Sequence, residues 1–389
     1  MPSPRLIAGL DPAKVSALAG REARRFTLTR PKSARAMAKA DQVYLDGVPL
    51  HWMKDWPMPH LPLVADAKGA LITDIDGYQI NDFCLGDTGS MFGHSPKPVA
   101  KALRAQARKG LTYMLPTEAA LEAGQLLSDV FGPYRWQIAT TATDANRFAL
   151  RVARAVTGRP KVLVFNGCYH GTVDDIFVTL KDGKTVNRSG LLGQVTDLST
   201  LATCCEFNDL ASVEAALGQG DVAAILTEPV MTNCCMVLPE AGFLEGLRRL
   251  ASQYGSLLIL DETHTLSTGY GGYCRVHGLQ PDIFVVGKCV AGGLPTAAWG
   301  LNAATTIRYQ AANANRPAGH SGMGTTLSAN PLQFAALCAT LSQVIKSTVW
   351  LVDGDDFPRF NQIYAEHFPH HPPARSTVVS GLVLKGALV

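Results

Sequence analysis

Three apolar runs in this sequence end in residues that are costly to bury alone. Leu257-Leu258-Ile259-Leu260 runs into Asp261-Glu262, Ile225-Leu226-Thr227 into Glu228-Pro229, and Ile283-Phe284-Val285-Val286-Gly287 into Lys288. An acid and a lysine displayed at neighbouring strand ends demand a compensating group. Pyridoxal phosphate would be one. A lysine closes a Schiff base on its aldehyde, and a carboxylate keeps its ring nitrogen protonated, so that the ring accepts electrons from a substrate α-carbon. Lys288 and Asp261 are the residue types for those two tasks. Taken singly, each has a plainer reading, Lys288 as a snorkelling surface lysine and Asp261 as a helix N-cap.

Such a cofactor also needs a seat for its phosphate and an aromatic face for its ring. Thr140-Thr141-Ala142-Thr143-Asp144-Ala145-Asn146 joins the strand-like Trp136-Gln137-Ile138-Ala139 to a helical run that begins at Arg147. The free N–H groups and dipole of a helix N-terminus hold anions, although the same residues read equally as an ordinary capping box. Gly167-Cys168-Tyr169-His170-Gly171 follows Val162-Leu163-Val164-Phe165, and its glycines permit a tight turn that would stack Tyr169 on the ring. Two other groupings carry less. His367, His370 and His371 stand among prolines without helical i, i+4 spacing, so no metal is expected. Gly319-His320-Ser321-Gly322-Met323 lacks the final glycine and the preceding strand of a hydrolase nucleophile turn.

The elements that must position these residues show as a rhythm. From Pro98 to about residue 330, helical patterns alternate with short runs apolar on both faces. That predicts a largely parallel α/β sheet with functional groups just past the carboxyl ends of its strands. Before it, residues 69–83 read as a hairpin around Asp76-Gly77, and the first forty or so as a helix followed by an irregular arm carrying Arg30 and Arg35. The chain from Trp350 is rich in Pro and His and poorly periodic.

Composition narrows the class. A chain of 389 residues that is 47% hydrophobic and 17% charged is neither disordered nor fibrous, and its length favours two or three units. A net charge of +3 without a dense basic tract argues against nucleic acid. Nine cysteines without a C-x-x-C pair read as free thiols in a reducing compartment. With no leader-like apolar segment after Met1 and no run of roughly 18 apolar residues, the expectation is a cytoplasmic protein without a membrane span.

Taken in order, these segments resemble the class III pyridoxal-phosphate aminotransferases, within them the branch of glutamate-1-semialdehyde aminomutase and the β-amino-acid transaminases. The resemblance runs from about Ala70 to Leu341. It also draws on Gly93-His94-Ser95-Pro96, Thr157-Gly158-Arg159, Asn233, Gly292-Gly293-Leu294-Pro295 and Thr326-Leu327-Ser328-Ala329-Asn330-Pro331. It implies pyridoxal-phosphate fold type I, a mostly parallel central sheet in a large domain, with a small α+β domain built from both chain ends. On that pattern residues 1–68 form an arm and part of the small domain, 69–325 the large cofactor domain, and 326–389 a shortened remainder of the small one, since the resemblance fades after Ile345. By the same resemblance Lys288 is the Schiff-base lysine, Asp261 the partner of the pyridine nitrogen and Tyr169 the stacking aromatic, with His170 beside it. Thr141, Ala142 and Thr143 form the phosphate turn, Asn233 bonds the phenolic oxygen, and Glu228 orders that strand end. Thr326 would reach the phosphate of a neighbouring subunit, implying a homodimer with shared sites.

Departures from the family pattern are specific. Where the family usually shows Asn-Ser-Gly-Thr-Glu-Ala, this chain has Thr140-Thr141-Ala142-Thr143-Asp144-Ala145, placing a methyl where glycine lets the backbone approach phosphate. Thr263 replaces the usual valine behind the ring, and Thr325 the glycine before Thr326. The function implied is transfer of an amino group from an amino acid or amine to an oxo acid or aldehyde by ping-pong steps through Lys288. An aminomutase, a racemase or a non-catalytic relative are the alternatives. For a substrate carboxylate, Arg35 and Arg30 in the arm offer a guanidinium, and Thr88 and Ser90 in Asp87-Thr88-Gly89-Ser90 would line the substrate side.

Overall fold

The computed structural model describes residues 11–342, 346–351, 355, 357–367 and 374–379. The chain divides into two compact units, Met1–Gly86 with Gly93–Ser95, and Asp87–Phe92 with Pro96–Val389. In the first, helix α1 (Pro12–Thr29) starts where the Asp11 carboxylate accepts from the Ala13 N–H at 2.9 Å, with Pro12 in the first turn. Helix α2 (Pro31–Met37) follows at once, and the carboxylate of Asp76 receives the N–H groups of Lys32 and Ser33 that open it, at 2.8 and 2.9 Å. Strands β1 (Val64–Lys68), β2 (Leu71–Asp74) and β3 (Gln79–Asn81) form an antiparallel sheet, and the expected hairpin turns at Gly77, whose φ of 95° suits glycine. Arg30 joins these parts. Its Nε donates to Asp74 Oδ2 at 2.8 Å while its guanidinium lies over the rings of Phe26 and Tyr78. Arg30 is therefore a structural link of this unit, and of the two guanidiniums read as substrate anchors only Arg35, exposed on α2, is not held this way.

The second unit opens with helices α3 (Lys97–Ala107) and α4 (Glu118–Phe131). Strand β4 (Arg135–Ala139) leads into α5 (Ala142–Thr157), then β5 (Lys161–Phe165) and a small hairpin, β6 (Val178–Lys181) with β7 (Lys184–Asn187). Next come β8 (Ala202–Cys205), α6 (Leu210–Leu217), β9 (Val222–Thr227), α7 (Phe243–Tyr254), β10 (Leu257–Asp261), α8 (Gly272–His277) and β11 (Ile283–Val286). Strand β12 (Ala297–Leu301), helices α9 (Ala303–Ala314) and α10 (Pro331–Leu341), then β13 (Lys346–Leu351), α11 (Phe357–His367) and β14 (Ala374–Val379) complete it, with β13 and β14 paired in parallel. His370 and His371 lie outside the described residues.

The seven-stranded sheet runs β4-β12-β11-β10-β9-β5-β8. Strands β8, β5, β9, β10 and β11 pair in parallel, as the apolar runs predict. Strand β12 is the reversal, antiparallel to β11 and β4. The link from Gly287 to Thr296 is too short for a parallel return, which takes roughly a dozen residues or more. Helix α5 buries Ala145, Phe148, Ala149, Val152 and Ala153 against this sheet, a stripe at three- and four-residue spacing. Phe284 of β11 is the centre of an aromatic wedge, 5.3 Å from Phe131, 5.5 Å from Tyr134 and 5.8 Å from Trp136 between ring centroids. Among the described residues no helix is long and apolar enough to cross a membrane.

Past the end of β10, Glu262 is fully buried and anchors the loop that carries Thr263 and His264. Its carboxylate receives the N–H groups of Tyr273 at 2.7 Å and Cys274 at 2.5 Å, and the Thr265 hydroxyl at 3.0 Å. Burial pushes its pKa up, and those donors pull the other way without cancelling the rise. Glu262→Ala leaves the buried Cys274 N–H and the part-buried Tyr273 N–H without this acceptor, so a loss of about 2–4 kcal/mol and a lower thermal midpoint are expected. An unchanged midpoint would show that the loop does not depend on this carboxylate.

Candidate active site

Asp261, at the carboxyl end of β10, and Lys288, just past the end of β11, line the same cavity of about 330 Å³. The neighbouring, parallel placement of these strands puts both ends on one edge of the sheet. Asp261 is buried and surrounded by donors. Oδ2 accepts from Asn146 Nδ2 at 2.8 Å and pairs with His170 Nδ1 at 3.0 Å, while Oδ1 accepts the Thr263 N–H at 3.1 Å. Burial alone would raise the Asp261 pKa; the hydrogen bond and charge of His170, with Thr263 and Asn146, outweigh it and hold the carboxyl below the usual range. For His170, burial works against the charged form, but the Asp261 carboxylate prevails and its pKa is pushed up to about 10. The two form a buried ion pair, with the acid kept ionised on the cavity wall.

Lys288 presents its amine on the opposite task. Nζ donates to Asp87 Oδ2 at 2.7 Å and to His264 Nε2 at 2.8 Å, and the other imidazole nitrogen, Nδ1, lies 3.1 Å from Thr88 Oγ1. Burial, then the Lys288 charge, lower the His264 pKa, so the ring is neutral at pH 7.

A third wall is the N-terminus of α5. Thr141 caps it, taking the Asp144 N–H at 3.2 Å and the Ala145 N–H at 3.1 Å, and the N–H groups of Ala142 and Thr143 have no acceptor among the described residues. Two glycines make room there. A Cβ at Gly171 would collide with Thr143, and one at Gly287 would come within 2.9 Å of the Ala142 methyl. The methyl that replaces the family's glycine is thus accommodated by Gly287. On the same cavity wall Thr263 Oγ1 is buried without a partner, as are His170 Nε2 and Asn146 Oδ1 behind Asp261. An ionised acid, an unsatisfied hydroxyl, open helix N–H groups and a lysine amine around one cavity fit a phosphorylated pyridine aldehyde.

The remaining candidates divide. Tyr169, His170 and Glu228 line the cavity, and burial raises the Glu228 pKa despite its Thr232 hydroxyl donor at 2.6 Å. Asn233 is exposed and not part of the cavity wall. Met231 and Val237 pair across a tight turn, with Cys235 and Met236 at positive φ, which lifts the intervening residues to the surface, and Thr232 takes the contact with Glu228 instead. Thr326 is exposed on the loop whose Ser328 touches Thr140 Oγ1 at 3.2 Å. Ser90 is half-buried and outside the cavity lining, while Thr88 braces His264 from behind. Two residues that contact Asp261 and Lys288 had no individual role assigned from the sequence: Asn146, a buried amide on the apolar stripe of α5, and His264, three residues after Asp261.

The Aminotransferase class-III family model matches residues 53–356, and a second model, Endoribonuclease L-PSP, matches residues 333–389. The chain is 38% identical over 286 residues to the glutamate-1-semialdehyde 2,1-aminomutase of Roseiflexus castenholzii, covering 72% of this chain and 64% of that protein. It therefore spans less than two thirds of that relative's length. A solved glutamate-1-semialdehyde-aminomutase from Pseudomonas aeruginosa PAO1 matches with a TM-score of 0.83 and 47% identity over 92% of this chain and 79% of that one. An alanine variant of that enzyme was solved in complex with PMP. An omega-transaminase from Sphaerobacter thermophilus matches with a TM-score of 0.73 and 27% identity, over 86% of this chain and 76% of that one.

Proposed function

The chain belongs to the class III aminotransferases and its cofactor is pyridoxal phosphate, and on that premise we propose that it is an aminomutase, moving an amino group from carbon 2 to carbon 1 of a substrate like glutamate-1-semialdehyde. The observation that carries this over the transaminase expected from the sequence is the 47% identity to an aminomutase across 92% of the chain, against 27% for the transaminase. Both reactions draw on the same residues.

The cofactor supplies an electron sink for the bond broken at the substrate carbon. Asp261, kept ionised by His170, Asn146 and the Thr263 N–H, holds the proton on the ring nitrogen. Tyr169 would cover one face of the ring, and the Thr141–Ala142–Thr143 turn would receive the phosphate on the open N–H groups of Ala142 and Thr143, the Thr141 hydroxyl being engaged with Asp144. Lys288 Nζ would hold the cofactor and, when free, would take a proton from one substrate carbon and return it to another as general base and acid. Thr88, against His264, is assigned to the substrate side. The working unit is a homodimer in which Thr326 reaches a neighbouring phosphate.

Glutamate-1-semialdehyde supplied as sole substrate should be converted to the isomer with its amino and oxo groups exchanged, without any added oxo acid. A strict requirement for an oxo acceptor, with amino transfer to it, would overturn the aminomutase reading in favour of the transaminase. Purification without colour and failure to take up added pyridoxal phosphate would overturn both.

A further inference from the structure

Lys288 has two partners, and they are unequal. Asp87 is largely exposed, with a side chain 74% accessible, so its ion pair is screened and contributes little to fixing the amine. His264 is half-buried and lies within hydrogen-bond distance of Nζ on one side and of Thr88 on the other. A lysine ammonium has donors only, so His264 Nε2 must be the acceptor, which puts the imidazole proton on Nδ1 facing Thr88 Oγ1. Thr88 is held for this contact in a left-handed backbone conformation, φ 66°, which a β-branched residue rarely adopts, and Asp87 beside it has φ 54°. These two residues end a left-handed stretch that begins at Leu85, and they bring their side chains to the lysine and its imidazole.

We propose that His264 is the positioning residue for Lys288: its imidazole, braced by Thr88, holds the free amine on the cavity wall whenever that amine is not bonded to the cofactor, and protonation of the ring releases it. The inference rests on Lys288 being the cofactor lysine. When Nε2 gains a proton it becomes a donor, and two cationic groups then face each other across a gap that had held a hydrogen bond. The charged groups acting on His264 are Lys288, Asp87 from the 87–92 loop and Asp261 from β10. Burial and Lys288 disfavour the ring's proton, and the two acids oppose them without reversing the effect. Release therefore belongs to the acid side of the free-imidazole value of about 6.5.

The test uses apoprotein of the full chain in two arms. In the first, the rate at which added pyridoxal phosphate develops its visible band is followed against pH. Wild type should show an acid limb below pH ~6.5. His264→Phe should lose that limb and slow at neutral pH by about 10-fold, the factor that one modest hydrogen bond carries. His264→Gln, which keeps an acceptor but cannot titrate, should recover most of the neutral rate without the limb. Identical profiles for wild type and His264→Phe would overturn the proposal. In the second arm, NMR follows the His264 ring in apoprotein, where its titration should move upward in Lys288→Ala; an unmoved titration overturns the proposal without any cofactor. If wild type develops no band at any pH, the cofactor reading fails, and the second arm still decides this one.

Discussion

Lys288→Ala is expected to lower turnover by at least about 10³-fold, because one substitution removes both the amine that joins the cofactor and the group that moves the substrate proton. General acid–base catalysis alone contributes roughly 10²–10⁴-fold. Among the described residues the side chain at 288 has Asp87 and His264 as its hydrogen-bond partners, and no described core residue depends on it for satisfaction. The variant should consequently fold with a thermal midpoint close to wild type while binding cofactor without covalent attachment. Borohydride treatment followed by mass spectrometry reads this directly: the wild-type peptide bearing Lys288 gains the mass of the reduced cofactor and the variant gains none. Attachment at another lysine, or turnover within tenfold of wild type, would displace Lys288 from the centre of the site.

Asp261→Asn should lower turnover by about 10²–10³-fold, the range seen when one preorganised electrostatic group is removed from a reacting centre. Cofactor attachment at Lys288 should survive, since that bond is made at the other wall. The substitution also strips His170 of its counter-charge in a buried setting, where breaking an ion pair costs up to about 3–5 kcal/mol. The pH dependence has a definite sign. The His170 pKa is raised in the folded protein to about 10, so its stabilising contribution is complete below the free-imidazole value and is lost as the pH rises through about 10. Asp261 is held below the ordinary carboxylate value, so its contribution is present above that value and lost as the pH falls through the depressed one. The gap in stability between wild type and Asp261→Asn should be wide at neutral pH and narrow toward pH 10 and above. Unfolding followed at both pH values measures it, and a gap that widens with pH would mean His170 is not the cation paired with Asp261.

Much of the frame is legible in the order of residue types alone. The runs at Val162, Val222, Leu257 and Ile283 are apolar on both faces, and each forms a central strand because such a segment is stable only between two layers. The Asp76-Gly77 turn and the capped start of α5 at Thr141 are local signals, decided by residues a few positions apart. The class III family model runs on to residue 356, past Ile345, the expected limit of the resemblance, and a second family model overlaps it from residue 333 to 389. Strand β12 is not apparent from its residues: its direction follows from the length of the connection and from pairing to β4, a partner more than 150 residues away in sequence.

Within the site the division is sharper. Residue type and position at strand ends mark Lys288 and Asp261 as candidates, because a charge that follows a doubly buried strand must meet either a counter-charge or a ligand, and the resemblance to the family supplies their roles. The partners that tune them are hidden. Asn146 is one of several small residues on α5, Arg30 looks as free as Arg35, and His264 looks like any loop histidine, until folding sets each against residues 24 to 115 positions distant. By itself the sequence determined which chemistry the chain can attempt and on what kind of sheet. Only the tertiary structure decided which acid is kept ionised, which arginine is already paired and which imidazole meets the lysine, since those outcomes depend on distances and burial that no local pattern encodes.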